Sequence, residues 1–292
     1  MKPYWNGLTE SYEFDTGEIF GCIEPYNNYH GIAGLVHCSD KVNLVRPKKS
    51  FLNAEYYLKA NSGPQMLPRD ISRTKKTTHE QTADAVGIHF PAEPEYGFAM
   101  DIVYKAHGDR VDMAMTISPT KDIANFEIFF ASYVCEALDE TWIPLKDAGG
   151  KDKWVNLDNR QVINNAFGVV KDDLRRAILN DGRWQRGTVT DHHSIEEMPF
   201  SKPIVVARNS KTGLSLVFLC DKDATTYIAG QYHGWDTAHD WAFGADLLKG
   251  TKMQAGARMV CRPFTNIGNM QSEIDDLWTD FTKKEYWKGE IQ

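Results

Sequence analysis

Apolar residues in this chain recur at every second position far more often than at the three-to-four-residue spacing of an amphipathic helix, which marks strands as the main element. Val111, Met113, Met115 and Ile117 show the pattern most clearly, since they fall on one side of a segment and leave Asp112, Ala114 and Thr116 on the other. The same reading predicts strands over 18–24, 42–46, 54–59, 86–90, 96–107, 110–118 and 124–134. In the second half it predicts them over 204–208, 214–221, 225–232, 241–245 and 252–261. Gly108-Asp109 separates two of these segments and predicts a tight hairpin; residues 209–213 predict another.

Two segments read as helices. Leu174, Ala177, Ile178 and Leu179 sit among charges over 171–180, and Ile274, Leu277, Trp278 and Phe281 make an apolar stripe over 271–284 that should lie on a sheet. With so few helices between so many strands, a parallel βαβ sheet is excluded. The expected fold is mainly β: a large antiparallel β-sandwich with one or two short helices. No fixed-period repeat or Pro/Gly/Ser linker divides the chain, and Gly149-Gly150 reads as a surface loop, so residues 1–292 are expected to form one domain.

Composition narrows the partners. Hydrophobic residues are 42% and charged residues 25%, as in an ordinary globular protein, and the formal charge of −7 argues against a nucleic-acid partner. The short basic runs 46–49 and 73–76 read as solvated loop charges. No secretory leader and no run of about 18 apolar residues is evident, so no membrane partner is expected. The five cysteines, scattered and without a Cys-x-x-Cys pair, read as reduced thiols, which favours a cytoplasmic setting; a periplasmic or secreted one stays open if a leader was removed.

Candidate chemistry concentrates in the run Gln231-Tyr232-His233-Gly234-Trp235-Asp236-Thr237-Ala238-His239-Asp240-Trp241, which holds two imidazoles, two indoles and two carboxylates in eleven residues. Sugars are held by such sets, an indole stacking on the apolar pyranose face while polar groups take the hydroxyls. Trp235, Trp241, His239 and Gln231 are therefore candidate binding residues, and His233 and Asp236 candidate catalysts. A second cluster spans 22–31 and supplies Glu24 as a candidate acid or base, with Asn28 and His30 as binding residues. His192 and His193 follow Asp191, which could orient one imidazole for proton transfer; on a strand only one of the two faces a given cleft. Arg183 and Arg160 are candidate partners for a carboxylated substrate, and His89 a candidate on a sheet face. No metal or other cofactor is expected, and the elbow, dinucleotide and phosphate-loop motifs are absent.

The order of features resembles the galactose mutarotase-like supersandwich group, which includes aldose 1-epimerases and related domains of glycoside hydrolases and polysaccharide lyases. The resemblance is carried by the opening stretch 21–37, by the central hairpin ending in Thr116-Ile117-Ser118-Pro119, and by the late pattern Gly244-Ala245-Asp246-Leu247 to Ala257-Arg258-Met259-Val260. It implies a carbohydrate substrate and, by analogy with the epimerases, a histidine acid and a glutamate base that open a sugar hemiacetal. The expected function is an enzyme acting on a sugar or sugar acid by His/carboxylate acid–base catalysis. A noncatalytic carbohydrate-binding module, or a lyase or hydrolase on the same scaffold, remains open.

Overall fold

The structure is a computed structural model, and it describes residues 2–25, 29–58, 77–94, 96–158, 165–175, 193–195, 198–232 and 237–283. Strands β1 (Tyr4–Asn6), β2 (Ser11–Asp15), β3 (Ile19–Glu24) and β4 (Gly31–His37) form a four-stranded meander in chain order. They are followed by β5 (Asn53–Leu58), β6 (Thr78–Gln81), β7 (Val86–Phe90), β8 (Phe98–His107), β9 (Arg110–Pro119), β10 (Ile123–Val134), β11 (Glu140–Lys146) and β12 (Asp152–Asp158). The rest are β13 (Asn165–Val170), β14 (His193–Ile195), β15 (Ile204–Arg208), β16 (Leu214–Cys220), β17 (Thr225–Tyr232), β18 (Thr237–Leu247) and β19 (Met253–Pro263). A nine-stranded sheet runs β12-β11-β15-β16-β19-β9-β8-β7-β6, and a six-stranded sheet runs β14-β13-β17-β18-β10-β5.

The two broad sheets enclose one apolar layer, to which the nine-stranded sheet sends Met100, Ile102, Met113, Met115 and Phe218, and the six-stranded sheet Ile128, Phe130, Trp241 and Phe243. The predicted mainly β, antiparallel sandwich is thus the observed fold; among the described residues only the β13–β14 pairing is parallel. The hairpin at Gly108-Asp109 forms as expected, with His107 opposite Arg110 and Gly108 in the left-handed region at φ +54. Gly149-Gly150 lies in the turn between β11 and β12. The predicted strand over 42–46 makes only isolated bridges, Asn43 with Val36 and Val45 with Val134, because this stretch crosses between two sheets. The helix expected over 171–180 is seen only at 173–175; its remainder lies outside the described residues.

The C-terminal helix runs Ile267–Phe281, four residues earlier at its start than the apolar stripe suggested. Asn266 caps it, its side chain accepting from the Asn269 N–H at 2.9 Å. Met270, Ile274, Leu277 and Phe281 pack on Ile204, Val206, Val217, Leu219 and Val260, on the face of the nine-stranded sheet turned away from the sandwich core. Burying such side chains stabilises by about 1.5–3 kcal/mol each. Charge pins the same helix: Arg258 donates through Nε to Asp112 Oδ1 at 2.6 Å and through Nη1 to Asp280 Oδ2 at 2.7 Å. Burial alone would raise the Asp112 pKa, but hydrogen bonds from His107 and Arg258 outweigh it and hold the carboxyl below its ordinary value. No helix among the described residues is long and apolar enough to cross a membrane. All five cysteines are free.

Arg258→Met would leave the buried Asp112 carboxylate with His107 alone and is expected to lower unfolding free energy by about 3–5 kcal/mol in urea titrations. Arg258→Met with Asp112→Leu should recover at least half of that loss; no recovery would mean that Asp112 is not the group left stranded.

Candidate active site

Strand β18 lies inside the six-stranded sheet, paired with β10 on one side and β17 on the other. Its residues alternate between two buried environments. His239, Trp241 and Phe243 point into the sandwich, while Ala238, Asp240 and Ala242 point to the opposite face of the sheet. That second face is the candidate site.

Register defines its floor, because residues directly opposite each other on paired strands share a face. Gly168, Ala229, Asp240, Ala131 and Asn53 form one row across five strands. The four positions next to Asp240 on this face are all alanine: Ala131 and Ala229 across the strands, Ala238 and Ala242 along its own. Larger residues stand at the diagonal positions, with Tyr133 and Phe129 on β10 and Tyr227 and Gln231 on β17. Asp240 is therefore ringed on this face by methyl groups, buried with them. Gly168 gives the Tyr227 ring its place, since a Cβ there would lie 2.7 Å from that ring.

The electrostatics of this floor are unusual. Asp240 is 1% exposed, and neither carboxylate oxygen has a hydrogen-bond partner among the described residues. Burial, and then the charge of Glu55, push its carboxyl well above the usual range, toward the protonated form. Glu55 is buried but served, accepting from Asn53 Nδ2 at 2.9 Å and from the Tyr133 hydroxyl. Burial and the charges of Glu55 and Asp240 raise Tyr133; burial and Asp240 raise Tyr227. A carboxyl held neutral beside a hydrogen-bonded carboxylate gives one proton donor and one acceptor on a single face, the division of labour that acid–base chemistry needs.

Several sequence-predicted residues land elsewhere. Trp241 is no stacking platform: it is fully buried in the sandwich against Phe130, ring centroids 5.9 Å apart. His239, its neighbour on the same face, is enclosed with Nε2 3.0 Å from Thr141 Oγ1 and its pKa drawn down to about 3 by burial. The alternation of the strand turned both inward and Asp240 outward. His30 is a brace. Its Nε2 accepts from the Ala54 N–H at 2.9 Å, so Nδ1 carries the hydrogen and faces the Tyr104 hydroxyl at 3.1 Å, which donates to the Leu52 carbonyl. Burial lowers the His30 pKa to about 3, so the ring is neutral.

His89 is exposed on the outer face of the nine-stranded sheet, 2.6 Å from Asp101, on the opposite side of the sandwich from Asp240. Glu24 ends β3 in the four-stranded sheet, opposite Gly31. Gln231 falls in line with Ala238 and Tyr133, and the backbone of His193 joins that row through Ala166. Asn28, Arg160, Arg183, His192, His233, Trp235 and Asp236 lie outside the described residues. Glu55, Asn53, Tyr133 and Tyr227 were not singled out from the sequence. The signal that finds them is the spacing Ala-x-Asp-x-Ala at 238–242, a small-residue stripe around one acid, read together with the acid–amide pair that opens β5.

The fold is galactose mutarotase-like. A galactose mutarotase-related enzyme from Lactobacillus acidophilus superposes with a TM-score of 0.57 over 86% of this chain and 97% of its own, at 8% identity. A galactose mutarotase-like protein from Lactobacillus casei gives 0.58 over 86% of this chain and 100% of its own, at 9% identity. An α-N-acetylgalactosaminidase from Bifidobacterium bifidum, solved with GalNAc, matches 86% of this chain with 36% of its own, at a TM-score of 0.53 and 13% identity. This fold is therefore shared with carbohydrate-active enzymes. No family model and no curated protein matches the sequence.

Asp240 keeps its proton in the folded chain to a higher pH than in the unfolded chain, where aspartate titrates near about 3.9. Its penalty on folding is absent below that value and grows as pH rises toward the folded-state pKa, because only the unfolded chain has released the proton. Asp240→Asn is accordingly expected to melt higher than the parent at pH 8 and level with it at pH 4. A difference that does not change with pH would show that Asp240 is already ionised in the folded chain.

Proposed function

We propose that this chain is a carbohydrate-active enzyme that works on a sugar or sugar acid by acid–base chemistry on the Asp240 face. The observation that supports it is the buried Asp240, its carboxyl pushed above the usual range and without a hydrogen-bond partner among the described residues, beside the hydrogen-bonded Glu55 and ringed by alanines, in a fold shared with sugar epimerases and glycosidases.

For 1-epimerisation of an aldose, Asp240 gives its proton to the ring oxygen while Glu55 takes one from the anomeric hydroxyl. The bond between the anomeric carbon and the ring oxygen breaks and leaves an open-chain aldehyde. Rotation of that aldehyde and reclosure reverse both transfers, so no proton is gained or lost.

Wild type should speed anomeric exchange of at least one aldose or uronate, read by magnetisation-transfer NMR, and Asp240→Asn should cut that rate about 10²- to 10⁴-fold while leaving sugar binding intact. Unsaturated product from uronate oligomers would instead assign elimination. Equal binding by both proteins with no conversion of any sugar would make the chain a binding module.

A further inference from the structure

We propose that Lys49 is the anion-recognising residue of this site and that the sugar it takes is an acidic one, carrying a carboxylate. The inference rests on the sugar-active reading above and names its substrate class.

The sequence reads Lys49 as a solvated loop charge, and the structure corrects that. Its ammonium lies 4.3 Å from the centre of the Tyr29 ring and 4.4 Å from that of Tyr133, and it donates to the Tyr29 hydroxyl at 2.5 Å. The two rings meet edge to face, 5.5 Å apart, and form a cradle for the cation. Tyr133 is also the residue whose hydroxyl bonds Glu55, so one aromatic ring joins the cation to the acidic floor.

The backbone is built to hold the lysine there. The Arg46 N–H donates to the Tyr133 carbonyl at 2.9 Å, and the Tyr133 N–H donates to the Ser50 carbonyl at 3.1 Å, so both ends of the loop 46–50 are tied to the residue beneath it. Lys48 takes φ +65 and Leu52 φ +56, left-handed conformations that cost a non-glycine residue about 1–2 kcal/mol each. The Ser50 hydroxyl donates to the His30 carbonyl, and the Leu52 N–H donates to Ser132 Oγ. Such strain persists only where the surroundings over-determine it.

Among the described residues no carboxylate pairs with Lys49. Glu55 already receives Asn53 and Tyr133. An ammonium donates three hydrogen bonds, and among the described residues the one to Tyr29 is the only one it makes. A half-buried cation with no counter-ion among the described residues, fixed by a strained loop beside buried acids, calls for a negative charge from the ligand. A sugar carboxylate supplies it, and pairing with the Lys49 ammonium offsets the repulsion it meets from Glu55.

The test compares galacturonate and glucuronate with galactose and glucose, by titration calorimetry and anomeric-exchange NMR on the full chain. Wild type should bind one uronate at least about tenfold more tightly than its neutral parent, with a preference that shrinks as salt is raised. Lys49→Gln should weaken uronate binding about 10- to 100-fold, the effect of losing a charge-assisted hydrogen bond, and leave the neutral sugar within about twofold. Lys49→Arg should keep the preference. Wild-type binding of neutral sugars without preference for either acid overturns the proposal and leaves the sugar-active reading standing; so does Lys49→Gln weakening both kinds of sugar equally. Binding and conversion of none of the four sugars overturns both. Should Lys49→Gln fail to fold, the wild-type ratio and its salt dependence decide.

Discussion

The pleat of one central strand governs this molecule. β18 is buried on both faces, so each residue from Ala238 to Phe243 is committed either to the space between the sheets or to the opposite face. The inward set, His239, Trp241 and Phe243, stacks with Phe130 and Phe218 and ties the six-stranded sheet to the nine-stranded one. The outward set is small except for one acid. A slip of one residue would drive Asp240 into the apolar layer and turn the indole out of it, and nine consecutive register positions between β10 and β18, from Phe126 to Val134, oppose it.

Polar groups buried near this strand divide into those that are satisfied and those that are not. His30, Tyr104, Ser50 and Leu52 form a closed relay of hydrogen bonds, and that relay fixes the approach of the loop carrying Lys49. Gly31 permits the close passage there, because a Cβ at its φ of +101 would lie 2.4 Å from the Phe51 carbonyl oxygen. Among the described residues Asp240 has no such relay. A buried carboxyl left without partners is costly to folding, and residues of that kind concentrate where chemistry is done.

Alternation alone revealed most of the sandwich, including β7, β15 and β17 at their observed bounds. Strands β11, β12 and β13 escaped notice because their patterns are interrupted, by Pro144 in β11, by lysine and aspartate in β12 and by Gly168 in β13. The site was harder to read. Chemistry-bearing types draw attention to Trp241 and His239, yet neighbours on a strand face opposite ways, and the sequence does not say which way is in. The acids that matter come from β5 and β18, far apart in the chain and joined only through β10. Lys49 looked like one charge among several because nothing local announces that Tyr133 lies under it.

Because adjacent positions of β18 answer to different surroundings, the two sides of the sheet can change independently. The stacked rings hold the aromatic side, whereas the other side is held by a separate, smaller cluster of Phe129, Ala131, Val170, Tyr227, Ala229 and Ala242. The shape of the sandwich is thus set on one side of β18 while the acid is carried on the other, and solved structures at 8% and 9% identity keep that shape.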